Sequence, residues 1–252
     1  VTLARTLGFG INSDAFERLA RRTPLRLLGK HSDSLLQIEA LLMGQAGLLT
    51  DASHAGDAYH SQLVREYGFL ANKFQLTPME SEAWKLFRIR PQNFPYRRIA
   101  MLAHYVYGGF GLMASIIDAK GESELRKLFT VDLDGYWSRH FTFGAEQPRP
   151  TAALSQSSID IVLINTVAPL LYARGEIMDD YSLIDRAVEL LESLRPERNS
   201  IVSNFALAGI KADDALTTQA LIELRREYCD ARKCIYCKIG HWLLSRDASR
   251  DA

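Results

Sequence analysis

The stretch SLLQIEALLMGQAGLL, Ser34 to Leu49, decides the fold class. Apolar side chains follow one another round the full helical turn, interrupted by Gln37, Glu39 and Gln45. A helix that is apolar on nearly every side needs neighbours on every side, so this segment is predicted to be central and buried. Its neighbours should be one-sided, and the chain supplies them. Tyr59, Leu63, Tyr67, Leu70 and Phe74 form a stripe at helical spacing. Leu183, Ile184, Ala187, Leu190, Leu191 and Leu194 form another, with Asp185, Glu189 and Glu192 opposite. Leu216, Ala220, Leu221, Leu224 and Tyr228 form a third. No run alternates in a sustained way with β-branched residues, so no sheet is expected. The fold class is all-α, a multi-helix globular bundle.

Helix punctuation agrees. Ser157 with Asp160 reads as a capping box, Thr77-Pro78 and Asn199-Ser200 as starts, Gly175 and Gly209 as stops. Pro169 lacks the N–H that would bond the Asn165 carbonyl and should kink its helix. Gly144 to Pro150, with Gln147 and Pro148, is the best linker, which divides the chain into helical units 1–144 and 151–252, packed separately or as one domain. In each half a buried helix (Ser34 to Leu49; Ser158 to Arg174) leads to an amphipathic one (Ala58 to Phe74; Tyr181 to Leu194) and then to an Arg-Pro-containing loop. Duplication of one helical unit explains this pattern. So does the plain frequency of helix pairs joined by Pro-containing loops.

Composition narrows the function classes. Thirty Lys and Arg balance thirty Asp and Glu, so nucleic acid would have to be met by a local patch. No membrane partner is expected: the most apolar stretch, Ile159 to Ala173, is interrupted by Asp160, Asn165, Thr166 and Pro169 and falls short of the roughly 20 residues of a span. The first residue is Val, which reads as a fragment whose upstream part is missing, and no signal peptide is apparent. Three cysteines within nine residues argue for a reducing, cytoplasmic setting.

The cysteines are also the sharpest candidate for chemistry. Cys229, Cys234 and Cys237, with His241 four residues on, have spacing that suits a structural zinc ion. An iron–sulfur cluster is a weaker fit, since it usually takes four cysteines. Three reduced thiols packing a helical corner, or a disulfide, are the other readings. A second feature is the acid-free segment Ala83 to Ile117. There Lys85, Arg88, Arg90, Arg97 and Arg98 interleave with Trp84, Phe87, Phe94 and Tyr96. Arginine for phosphate and aromatics for bases is one way to grip a nucleic-acid strand. The alternative is a core of aromatics, with arginines paired to the acidic segment Glu176 to Glu197. His54, Asp57 and His60 read as a polar loop and helix start. Asp132 and Asp134 read as solvated acids, Gly108, Gly109 and Gly111 as a break or close packing, and Asn165 as a satisfied buried amide. Ser157 and Ser158 have no nucleophile motif around them, and no catalytic motif is complete, so enzyme status is open.

Several blocks carry a resemblance: FERLARRTPLRLL (Phe16 to Leu28), LLQIEALLMGQAGLL (Leu35 to Leu49), RIRPQNFPYRRIA (Arg88 to Ala100), SSIDIVLINTVAPLLYARG (Ser157 to Gly175) and EYCDARKCIYCKIGHWLL (Glu227 to Leu244). With them the chain resembles the bacterial domain-of-unknown-function 2851 family. The resemblance implies a longer protein with a strand-rich, nuclease-like region upstream, none of whose residues is present here, and no established activity. Two functions are therefore expected. The first is a non-catalytic helical module of a larger cytoplasmic protein, which positions or binds an upstream domain or another protein and carries a metal-stapled C-terminus. The second is the nucleic-acid-binding part of a nucleic-acid-processing protein.

Overall fold

The computed structural model describes residues 1–90, 93–109, 111–131, 133, 135–150 and 154–242. Among them are fourteen α-helices and no strand, with one antiparallel bridge between His140 and Glu146. The chain divides into two compact units, Val1–Leu171 and Tyr172–Ala252.

In the first unit the helices are α1 (Thr2–Leu7), α2 (Ser13–Arg22), α3 (Leu25–Leu28), α4 (Leu35–Gln45), α5 (Ala58–Phe74), α6 (Pro95–Val106), α7 (Leu112–Asp118), α8 (Glu122–Phe129), α9 (Tyr136–Arg139) and α10 (Gln156–Val162). Helix α4 is central, as its composition demands. Ile38 through Gln45 are all buried, and α2, α5 and α6 pack around it. Ser34 caps its first turn by accepting from the Gln37 N–H. The approach to α5 is close at Gly44, where an added Cβ would fall within the Tyr67 ring. The next residue fixes the same pair of helices, because the Gln45 amide donates to the Tyr67 hydroxyl at 2.8 Å.

Several local features differ from the reading of the sequence or refine it. The cap of α10 is Ser155, which accepts from the Ser158 N–H at 3.2 Å, two residues before the expected Ser157. Thr77-Pro78 starts no helix; residues 76–80 run without regular structure into a 3₁₀ turn at Ser81–Ala83. Pro169 is accommodated by a π-helical segment, Leu163–Val167, just before it, with helical backbone angles at Ala168. Asn165 lies on the exposed side of that segment and donates to the Ile161 carbonyl at 3.0 Å, so its amide is satisfied without being buried. With α11 (Ala168–Met178), the helical stretch Gln156–Met178 is long and apolar enough to cross a membrane by length and composition. Of its most apolar window 44% is buried within the protein, and Ile159, Val162, Leu163 and Val167 belong to the core of the first unit. Gly144–Pro150 lies inside the first unit, and the Gly144 N–H donates to Asp57 Oδ2 at 2.9 Å.

In the second unit α12 (Tyr181–Ser193), α13 (Ser200–Leu207) and α14 (Ala215–Glu223) pack with α14 between the other two. The α12 stripe holds, with Leu183, Ala187 and Leu190 buried. Gly175 is interior to α11 and ends no helix. A Cβ there would meet Ile184 Cγ1 at 2.6 Å and the Asp180 carbonyl at 2.8 Å, so the glycine permits close packing against α12. Asn199 caps α13 as expected, accepting from the Val202 N–H at 3.0 Å, and Gly209 follows its end with φ +87°. On α14 the buried face is Ala215, Thr218, Leu221 and Ile222; of the expected stripe only Leu221 belongs to it.

Candidate functional site

The end of α4 builds one wall of a cleft. The last carbonyls of any helix lack intrahelical partners. Here Gly47, at φ +72°, turns the chain back so that the Leu48 N–H bonds the Met43 carbonyl at 3.1 Å. Two more orphans are taken by the segment that follows α5. The Met79 N–H donates to the Gln45 carbonyl at 2.8 Å, and the Trp84 indole donates to the Ala46 carbonyl at 2.8 Å. A side chain at position 47 would collide with the Met79 carbonyl, so glycine is needed for this approach as well as for the turn. Lys85 is fixed on the other side: its N–H donates to Asn12 Oδ1 at 2.8 Å, and Asn12 Nδ2 returns a bond to its carbonyl at 3.1 Å. Between these anchors lies a cleft of about 410 Å³, lined by Thr50, Asp51, Glu82, Trp84, Phe87 and Tyr96 together with Gly47, Leu48, Ser81 and Leu86. Trp84 and Tyr96 are 5% exposed, whereas Phe87 is 90% exposed at the rim. Asp51 is held below the usual carboxylate range by hydrogen bonds from the Ser53 side chain and backbone, so it is charged at neutral pH.

Behind the cleft stands a network of acids and aromatic rings. Glu39, 1% exposed on α4, accepts from the Tyr59 hydroxyl at 2.6 Å and from the Trp137 indole at 2.9 Å. Burial, and then the Glu39 charge, push the Tyr59 hydroxyl far above its ordinary pKa, so it stays a donor. Asp57 caps α5 by accepting from the His60 N–H at 2.9 Å, and its other oxygen accepts from the Tyr136 hydroxyl at 2.5 Å and the Gly144 N–H at 2.9 Å. His60 is 4% exposed, its ring 4.8 Å from Phe143 and 5.8 Å from His54. Neither ring nitrogen makes a full hydrogen bond.

That environment sets a sign. Burial and His54 lower the His60 pKa, against smaller opposing effects of Asp57, the Leu49 carbonyl and Asp51. The unfolded chain takes its proton near the ordinary value of about 6.5 while the folded chain resists it. His60 therefore leaves stability intact above that value and removes it as pH falls through it. Between pH 7 and pH 5 the melting temperature of the parent should drop more steeply than that of His60→Phe. Parallel curves would show that His60 does not titrate in this window. Asp51 and Asp57 have lowered pKa values and act only below about 4, outside it.

The four arginines do not form one surface. Arg88 and Arg90 are exposed, but Arg97 and Arg98 are 1% and 2% exposed. Adjacent positions on α6 point about 100° apart. Arg97 accordingly stacks on Phe141 at 5.0 Å, while Arg98 stacks on Phe9 at 4.5 Å and donates to Asn93 Oδ1 at 3.1 Å. Burial and the neighbouring Arg97 charge push Arg98 down to about 10. His54, Asp57 and His60 do form a loop and helix start, but their partners Tyr136, Phe143 and Gly144 come from far along the chain. Gly108 and Gly109 break the chain after α6 with φ +80° and +114° in open space. Asp132 and Asp134 lie outside the described residues.

Cys229 ends a π-helical turn after α14, Cys234 begins a 3₁₀ turn, and Cys237 accepts from the His241 N–H at 2.7 Å through its carbonyl. Among the described residues no three His, Cys, Asp or Glu side chains are gathered as for a metal ion, so the expected ligand set is not assembled in this structure. Cys229 and Cys234 are exposed and Cys237 is half-buried, all as free thiols. All three should react promptly with an aromatic disulfide reagent in the native protein. Protection of two or more, with one equivalent of zinc by elemental analysis, would show instead that the segment closes round a metal.

No curated protein and no solved structure matches the chain. A family's sequence model does match it, over residues 1–200, which takes in α1 to α12 with the whole cleft and the network behind it, and stops short of the cysteines. The chain belongs to the DUF2851 family, proteins of unknown function.

Proposed function

We propose that the chain is a non-catalytic helical module of a larger cytoplasmic protein, with a positioning or partner-binding role. The observation that carries this reading is the use made of its clustered polar groups. Glu39 and Asp57 hold distant segments together, and His60 is buried among rings. The open cleft is lined by two carboxylates, Ser81 and Thr50, whose hydroxyl is already bonded to the Gly47 carbonyl, with no histidine, cysteine or lysine in its lining among the described residues. Acyl or phosphoryl transfer asks for a nucleophile beside a base and donors for a developing anion. The cleft shows no hydroxyl bonded to either carboxylate, and the Thr50 hydroxyl is turned to the Gly47 carbonyl. Three cysteines, an odd number within nine residues, favour a reducing compartment over a secreted disulfide framework. Zinc at Cys229, Cys234, Cys237 and His241 is the alternative that the thiol titration tests, and the module reading does not depend on it.

The purified chain should show no turnover in a nuclease, esterase and phosphatase screen. Activity that survives repurification and is lost in Asp51→Asn would overturn the reading. The competing nucleic-acid role would rest on exposed Arg88 and Arg90 beside Phe87. It requires salt-sensitive strand binding that weakens when both arginines become alanine, the log–log salt slope falling by roughly 0.7 to 0.9 for each phosphate no longer neutralised.

A further inference from the structure

From the composition of the cleft we infer that it binds an alkylated ammonium group, a conclusion that rests on the chain being a binding module. Three aromatic side chains, Trp84, Phe87 and Tyr96, line the same 410 Å³ space as two carboxylates, Asp51 and Glu82. Aromatic faces attract a cation through the ring quadrupole, and the attraction grows where water is excluded. Carboxylates supply the net charge. An anion would meet Asp51 and Glu82 at close range, and neither Lys85 nor Arg88 lines the space to offset them.

The distribution of burial sharpens the ligand class. Trp84 and Tyr96 form a fixed floor: the Trp84 indole N–H is committed to the Ala46 carbonyl, and its ring meets Phe16 edge-on at 5.1 Å. Phe87 is a large apolar side chain left 90% exposed. The residue after it, Arg88, has φ +58°, a backbone conformation that L side chains adopt at a cost. An exposed ring held on a strained turn at the rim of a cleft is arranged to close over a ligand that has apolar surface of its own. A methylated ammonium has both the charge and the apolar surface; a bare metal cation has only the charge, and a neutral alkyl group makes no use of Glu82 or of Asp51, whose present partners are Ser53 and, at 3.7 Å, His54.

The test uses the whole chain and choline chloride as probe, titrated by calorimetry at constant ionic strength. The neutral isostere 3,3-dimethylbutan-1-ol and sodium chloride serve as controls. Saturable choline binding is expected, with the isostere at least about threefold weaker. Glu82→Gln and Phe87→Ala change exposed side chains and should leave melting unaltered, while each weakens choline by about three- to tenfold. Equal binding of choline and the isostere would overturn the cation assignment and leave the binding-module reading standing. Saturable choline binding untouched by either variant would overturn the site, and no saturable binding would overturn the inference altogether. Chemical conversion of the probe would overturn the module reading itself.

Discussion

Glu39→Ala is expected to destabilise the first unit by about 3–5 kcal/mol, read as a shift in the urea midpoint of tryptophan fluorescence. The carboxylate is buried on α4 and serves two donors, the Tyr59 hydroxyl and the Trp137 indole. Its removal leaves both donors in the core without that acceptor, at about 1–3 kcal/mol each, and a cavity besides. The single changes Tyr59→Phe and Trp137→Phe each delete one donor while the acceptor keeps the other, so each should cost less than the loss of Glu39. A Glu39→Ala loss under about 1 kcal/mol would mean that the two donors find other partners and that the carboxylate is dispensable to the fold.

Gly44→Ala sets two effects against each other. An interior helical glycine ordinarily gains about 0.5–1 kcal/mol on becoming alanine. At this position the new methyl would occupy the space of the Tyr67 ring, and Tyr67 is also bonded to Gln45. Forcing the two helices apart costs about 1–3 kcal/mol or more, because close-packed cores relax only in part. Packing should win, with a net loss of about 2 kcal/mol. In a Tyr67→Ala background the same substitution should become neutral or stabilising, since the helix preference persists and the ring is gone. A gain in the parent background would place the α4–α5 contact farther apart than described.

The helices were readable because their signals are local. Ser34–Leu49 is apolar on all sides, and the helix it predicts is buried on all sides. Asn199 announces a cap by its own chemistry, and it caps. The errors share a different origin. Gly175 looks like a stop because its role depends on Ile184, nine residues away across a turn. Arg97 and Arg98 look like surface charge because the rings that receive them, Phe141 and Phe9, lie 44 residues downstream and 89 upstream. The cleft was illegible for the same reason. It is made from a helix end, a 3₁₀ turn and one side chain of α6, and no spacing in the sequence records that Gly47, Glu82 and Tyr96 share a wall. The helix start at Asp57 was visible; its bonds to Tyr136 and Gly144 were not.

Those long spans bear on how the protein is made. Glu39 and Trp137 are separated by 98 residues, Asp57 and Gly144 by 87, and the bonded hydroxyls of Thr6 and Thr166 by 160. A ribosome adds roughly 5–20 residues per second, so the α4 carboxylate waits about 5–20 s before its indole partner has been synthesised. Through that interval α4 and α5 lack Trp137 and Phe143, the ring that packs on His60 at 4.8 Å. High contact order slows folding in any case, since loop closure precedes its reward. The nascent chain is therefore a natural client for a holding chaperone, and stalling translation between residues 74 and 137 should yield a protease-sensitive, aggregation-prone chain, while stalling well beyond Leu171 should not.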